Sequence, residues 1–232
     1  MIAKGLAPFS GAQVFAIMEP VQGRADEFRA ASWSTLGTLH ADGRNDMGAI
    51  VVTEFISLDG VFEDPGGAEG YEHGGWTFTF NQGEDGGKFK LDELMAADAQ
   101  LLGRVTYEGF AKAWPAMTDP VGFADKMNAM PKYVVSATLT DPAWHNSTVI
   151  GLDEAAKLKD QYSGDILVAG SGQLVRGLTG LGLVDEYRLM VFPVILGTGR
   201  RLFDSAAMTR LALTDVTRVG PDGVTFQRYA RA

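Results

Sequence analysis

Leu101-Leu102-Gly103-Arg104-Val105-Thr106-Tyr107-Glu108 reads as an apolar strand that stops at a glycine and becomes a helix within three residues. The open N–H groups and positive dipole end of such a helix can hold a phosphate oxygen. Thr106 suits the N-cap and offers a hydroxyl to a ligand. Arg104 adds a planar cationic fork that matches a phosphate monoester. The same letters also describe an ordinary capped turn with a surface arginine.

A second strand-to-helix turn, Ile166-Leu167-Val168-Ala169-Gly170-Ser171-Gly172-Gln173-Leu174-Val175, lies further along. Gly170 and Gly172 let a backbone approach a pyrophosphate with no Cβ in the way. This is not the fingerprint of a doubly wound dehydrogenase. That pattern has a third glycine where Val175 stands and an acidic residue about 20 positions later, a spacing that Asp185 and Glu186 do not meet. A tight turn is the plain alternative. The two turns together weigh more than either alone, since with Arg104 and the hydroxyls of Ser136 and Thr138 they supply the local donors a nucleotide needs. There is no Walker-type phosphate loop, which argues against a kinase or ATPase.

Outward from these turns, strand and helix patterns alternate. Strands are expected at 49–57, 100–103, 132–136, 165–169, 186–195 and 223–229. Helices are expected at 90–98, from about Thr106, at 153–161 and from Gln173 to about Leu178. Interleaving of this kind predicts an α/β layered domain with a largely parallel sheet, and adjacent strands late in the chain add antiparallel pairing at one edge. Met47 opens the first strong strand pattern, so the domain is expected over 47–232. Residues 1–46 read as an N-terminal extension, with a short strand at Val14–Pro20, a helix at Ala25–Leu36 and a polar, turn-rich link at His40–Asp46. One strand and one helix bury too little surface to stand alone.

Composition narrows the function. The chain has 232 residues, 46% hydrophobic and 21% charged, a globular balance. A net charge of −9 is a poor footing for gripping DNA or RNA. No cysteine is present, which removes disulfides, zinc knuckles, iron–sulfur clusters and thiol nucleophiles. His40, His73 and His145 are too scattered for a helical ligand pair, so no catalytic metal is expected. No segment reaches the roughly 18 apolar residues of a membrane span, and the short apolar run Val14–Met18 is not a secretory signal. A cytoplasmic protein is the expectation.

Six motifs in order carry a resemblance: Ile56-Ser57-Leu58-Asp59-Gly60, the stretch 101–107, Lys132-Tyr133-Val134-Val135-Ser136, Val168-Ala169-Gly170-Ser171-Gly172, Asp185-Glu186, and Phe192-Pro193-Val194-Ile195-Leu196-Gly197-Thr198-Gly199. Over roughly residues 48–229 the chain resembles the dihydrofolate-reductase-like family, in the branch of the riboflavin-biosynthesis reductase domain. The resemblance implies a three-layer α/β/α domain with a mixed, mostly parallel central sheet that binds NADPH along the carboxyl ends of its strands. It implies that Gly103, Arg104 and Thr106 hold the cofactor phosphates, with Arg104 on the 2′-phosphate. By the same likeness Ser136 and Thr138 lie beside the adenosine ribose, and Gly170, Ser171, Gly172, Gln173 and Leu174 lie under the pyrophosphate. Enzymes of that branch usually follow a zinc deaminase domain, which is not recognisable here, so a stand-alone relative is expected. The resemblance also implies a homodimer, to which Leu189–Leu196 contributes.

The activity implied is hydride transfer to a C=N or C=O bond of a small, heterocyclic substrate, similar to 5-amino-6-(5-phosphoribosylamino)uracil reductase. The alternative is a non-catalytic nucleotide-binding regulatory protein of the same fold. Asp59, at the end of the first strand, is expected beside the nicotinamide, where it orients the ring or relays a proton. An Asp-Gly turn whose carboxylate caps local N–H groups is the other reading. Asp64–Gly75 is glycine-rich enough for a lid. Trp76 after it either stacks on a flat substrate or fills the core. Folate enzymes carry an acidic residue in the helix before the Gly-Arg-x-Thr turn, and Asp92 and Glu93 lie near that place. Glu54 reads as a strand charge, and Lys132 as a nucleotide neighbour or a solvated lysine before a strand.

Overall fold

Ala49-Ile50-Val51-Val52-Thr53-Glu54-Phe55-Ile56-Ser57 is a run of β-branched and aromatic residues, and it forms β1 at the centre of the sheet. The computed structural model describes residues 47–204 and 207–232. The sequence expectations at Val14–Pro20 and Ala25–Leu36, like the whole of the N-terminal extension, lie outside the described residues. The remaining strands are β2 (Ala97–Gly103), β3 (Lys132–Val135), β4 (Ser147–Ile150), β5 (Asp165–Ala169), β6 (Glu186–Phe192), β7 (Leu211–Val219) and β8 (Val224–Arg231). Their order across the sheet is β4-β3-β2-β5-β1-β6-β8-β7. The first six neighbours pair in parallel, while β8 runs antiparallel to both β6 and β7.

Side-chain alternation divides the two faces. Ile50, Val52 and Ile56 of β1 join Leu101, Ile166 and Val168 under α4 (Ala155–Leu158) and α5 (Gly172–Gly180). Val51, Leu102 and Leu167 point the other way, toward α1 (Gly83–Ala96), α2 (Arg104–Ala113) and α3 (Phe123–Ala129). Helices therefore cover both faces of a mostly parallel sheet, the three-layer arrangement expected. A third cluster of Trp76, Met190, Phe192, Val219 and Phe226 closes the antiparallel end.

The differences have local causes. α1 starts at Gly83 rather than near Lys90, because Glu84 and Asp85 favour the positive helix end and Gly86 fits against Gln82 and Val219, where a Cβ would crowd both. α2 starts at Arg104, with Gly103 as its N-cap, so Thr106 is not the cap expected of it. β6 ends at Phe192 because Pro193 has no N–H to continue the ladder. The segment 153–161 divides into a 3₁₀ turn at Leu152–Glu154 and the short α4. Leu189, Met190 and Phe192 are buried inside the sheet between β1 and β8, leaving Ile195 as the exposed large side chain of the stretch expected at a dimer contact.

Lys132 is neither at a nucleotide site nor solvated. It is 1% exposed, and its Nζ donates to the carbonyls of Asn128, Met130 and His145 at 2.8, 2.8 and 3.0 Å. The ammonium also lies 4.3 Å from the Trp144 ring centroid. Burial pushes its pKa down to about 8. Among the described residues no helix is long and apolar enough to cross a membrane, and no group of three His, Asp or Glu side chains could hold a metal.

Candidate functional site

The two glycine turns meet at the carboxyl edge of the sheet. Thr106 Oγ1 accepts the Ser171 N–H at 2.9 Å, and Ser171 Oγ accepts the Gly103 N–H at 2.9 Å while donating to the Ala169 carbonyl at 3.1 Å. Ser171 can close this ring only in the left-handed region, φ 61°. Gly170, also left-handed at φ 56°, leaves room for the Thr106 side chain, which a Cβ would meet at 3.0 Å. At Gly172 a Cβ would overlap the Phe62 ring. The glycines thus admit Thr106 and Phe62 as neighbours, which closes part of the surface expected to face a ligand.

Two helix N-termini without side-chain caps, those of α2 and α5, are brought together in this way from opposite faces of the sheet. Their first-turn amides and dipole ends make a positive edge in an acidic chain. Arg104, the first residue of α2, is about 43% exposed and makes a two-pronged contact with Glu108 at 2.9 and 3.0 Å. Gly103 pairs with Val135 across β2 and β3, so Ser136 follows directly beside the turn. Ser136 Oγ accepts the N–H groups of Thr138 and Leu139 at 3.1 and 3.0 Å, and Thr138 is exposed. Gln173 is exposed on the first turn of α5, whereas Leu174 packs into the core.

Asp59 closes the end of β1 rather than an open pocket. Its carboxylate accepts from Ser57 Oγ at 2.6 Å and from the N–H groups of Leu196 and Gly197 at 3.1 and 3.0 Å. Arg201 Nε donates to the Asp59 carbonyl at 3.0 Å. The Ser57 hydroxyl and these amides hold the pKa down to about 2, although partial burial opposes them. Such a group carries no proton at neutral pH, so the capping reading fits Asp59 and the proton-relay reading does not.

The glycine-rich loop after it is pinned rather than free. Asp64, 2% exposed at φ 46°, accepts the N–H groups of Ala68 and Tyr71 at 2.6 and 3.2 Å, and its carbonyl accepts those of Gly67 and Gly75. Trp76 is 4% exposed, donates Nε1 to the Glu63 carbonyl at 2.9 Å and meets Phe192 edge-on, so it is a core tryptophan and not a stacking platform. Asp92 is not brought to the site, since its side chain is solvent-facing and paired with Lys88. Glu93 turns inward instead. It accepts from Thr53 Oγ1 at 2.8 Å and Lys90 Nζ at 2.6 Å, and Arg188 lies 3.7 Å away, held in turn by Asp165 and Glu186.

Residues 49–225 match the RibD C-terminal domain family. The chain belongs to that family. Among relatives, it is 33% identical over 119 residues to the uncharacterized protein YyaP of Bacillus subtilis, covering 48% of this chain and 62% of YyaP. Among solved structures, this RibD C-terminal domain resembles a protein of Shewanella sp. PV-4 assigned to riboflavin biosynthesis, with a TM-score of 0.61, 22% identity and coverage of 79% of this chain and 99% of the other. A pyrimidine reductase-like protein of Corynebacterium diphtheriae matches with a TM-score of 0.51, 15% identity and coverage of 80% and 92%. At those identities the structures show the shared fold.

One functional candidate in this RibD C-terminal domain was not legible as such in the sequence. Glu54 of β1 lies between Val52 and Ile56 on the α5 face, one residue past the Thr53–Ala169 pair and thus beside Gly170. It is 6% exposed, and its Oε1 has no hydrogen-bond partner. Burial pushes its pKa well above the usual carboxylate range, while Lys90 and the Gly170 N–H draw it back. The available signal was a lone charge in an otherwise apolar central strand. A separate cavity of about 470 Å³ lies at the far end of α5, lined by Arg176, Thr179, Tyr187 and Arg231 among others, and takes in none of the residues above.

Proposed function

We propose that the protein is an NADPH-dependent reductase that transfers a hydride to a C=N or C=O bond of a small heterocyclic substrate, in the manner of 5-amino-6-(5-phosphoribosylamino)uracil reductase. The observation that carries this reading is the joining of two uncapped helix N-termini by Thr106 and Ser171, with Arg104 at their rim. That donor set suits a phosphorylated dinucleotide: main-chain N–H groups for a pyrophosphate and a guanidinium for a terminal phosphate. Glu108 keeps Arg104 oriented until a doubly charged phosphate replaces it. Ser136 and Thr138 border the same edge and suit the ribose. When bound, NADPH supplies a hydride. The chain supplies alignment at the ends of β1 and β5, with Asp59 fixing the end of β1 against residues 196–197.

Partners in this reading are a small molecule and a second copy of the chain. Fluorescence titration with NADPH and NADH tests it. NADPH is expected to bind more tightly, and Arg104→Ala is expected to cost NADPH about 10–100-fold, the value of one charge-assisted contact, with little effect on NADH. Equal affinities in the unaltered protein, or no binding, would overturn the assignment.

A further inference from the structure

Asp59 holds no proton at neutral pH, yet reduction of a C=N or C=O bond requires one. We propose that Glu54 is the proton donor of this reductase, positioned beside the Gly170 turn so that its carboxyl touches the reacting centre. The inference rests on the NADPH reading above.

Glu54 is buried and leaves Oε1 without a partner, an arrangement that costs free energy unless something later uses that oxygen. Its neighbours do not neutralise it as a structural ion pair would. Leu189 stands opposite on β6, Val52 and Ile56 flank it on its own strand, and Gly170 lies across, just past the end of β5. The charged groups acting on it are Lys90 and Glu93 of α1, beyond the sheet, and Glu69 of the 64–75 loop, which is itself paired with Arg200. By contrast, Glu93 Oε2 on the opposite face accepts from both Lys90 Nζ and Thr53 Oγ1. Burial favours the neutral, proton-bearing form of this Glu54 carboxyl at the carboxyl end of the central strand.

The step balances. The acceptor carbon gains the hydride pair, the C=N or C=O π pair moves onto the heteroatom, and Glu54 gives that atom its proton, breaking the carboxyl O–H bond. Glu54 is left as a carboxylate and takes a proton from water before the next turnover. The oxidised nicotinamide is one positive charge richer than the reduced form, so the Glu54 carboxylate arises beside the charge that best stabilises it. The protonation of Glu54 is therefore coupled to the oxidation state of the bound nucleotide.

The coupling is measurable without a substrate. In weakly buffered solution at pH 7, NADP⁺ binding is expected to release more protons than NADPH binding, by up to one per site. Both carry the same 2′-phosphate, which cancels in the comparison. The ratio of NADP⁺ to NADPH affinity is expected to rise with pH by up to about tenfold per unit below the carboxyl pKa. In Glu54→Gln both effects vanish while NADPH still binds, and a volume-keeping Glu54→Met serves if the glutamine variant does not fold. Equal proton release with both nucleotides in the unaltered protein, or a pH-dependent ratio that survives in Glu54→Gln, overturns the role of Glu54 and leaves the reductase assignment intact. Failure to bind either nucleotide overturns both.

Discussion

Thr106 Oγ1 accepts the Ser171 N–H at 2.9 Å across 65 positions of sequence, tying the first turn of α2 on one face of the sheet to the turn that opens α5 on the other. It acts with the Gly103 N–H to Ser171 Oγ bond, and losing it leaves that single contact to set the spacing of the two helix starts. Thr106→Val keeps the shape and removes the acceptor, leaving the Ser171 N–H unmatched in a half-buried site. A loss on the order of 1–3 kcal/mol is expected from denaturant midpoints, together with weaker NADPH binding by titration.

Gly172 and Phe62 are packed too closely for a methyl group between them. Gly172→Ala is expected to destabilise by about 1–3 kcal/mol through overpacking. Pairing it with Phe62→Ala relieves the overlap, so a double-mutant cycle is expected to give a coupling of about 0.5–3 kcal/mol. Additive losses would mean that the two do not touch in solution.

Asp59 contributes stability with a defined pH window. Its folded pKa is lowered to about 2, below an unfolded value of about 3.9. As pH falls the unfolded chain takes up the proton first, so the contribution is whole above pH about 4 and is lost between about 4 and 2. Asp59→Asn is expected to lower stability at pH 7 by about 1–3 kcal/mol and to flatten the acid limb, as thermal melts across pH 2–7 record.

Lys132 has the same slope in a higher window, but there the shift reflects a charged form that burial disfavours. Its folded pKa, pushed down to about 8, lies below the unfolded value of about 10.4. Between those values the unfolded chain keeps a proton that the folded chain has released, so this group makes stability rise with pH through the window. Lys132→Met removes the rise. It also strands the carbonyls of Asn128, Met130 and His145, for an expected net cost on the order of 3 kcal/mol at neutral pH in chemical unfolding.

How far the sequence could be read depended on what each segment is packed against. β1 and β5 were legible to the residue because buried parallel strands must be unbroken β-branched runs. β7 was not, since nearly all of it is exposed and its letters carry no inward face. β4 is four residues long and α3 seven, too short for a period to show. At the candidate site, Gly170 and Gly172 announced a turn, but their partners Thr106 and Phe62 come from distant segments that no local spacing specifies. Asp92 and Glu93 illustrate the limit. Adjacent letters of the same charge lie on different sides of α1, and only the pairing of Glu93 with Thr53 and Lys90 tells which one faces the sheet.

The alternation along β1 assigns two incompatible jobs to consecutive side chains. Thr53 belongs to the ion cluster under α1, and Glu54 to the α5 face beside Val52 and Ile56. A single-residue insertion or deletion between Ala49 and Thr53 would trade these places, burying a threonine where a carboxyl is called for and thrusting a glutamate among Glu93, Asp165 and Glu186. The face each side chain of Ala49–Ser57 takes is thus set by its count along the strand.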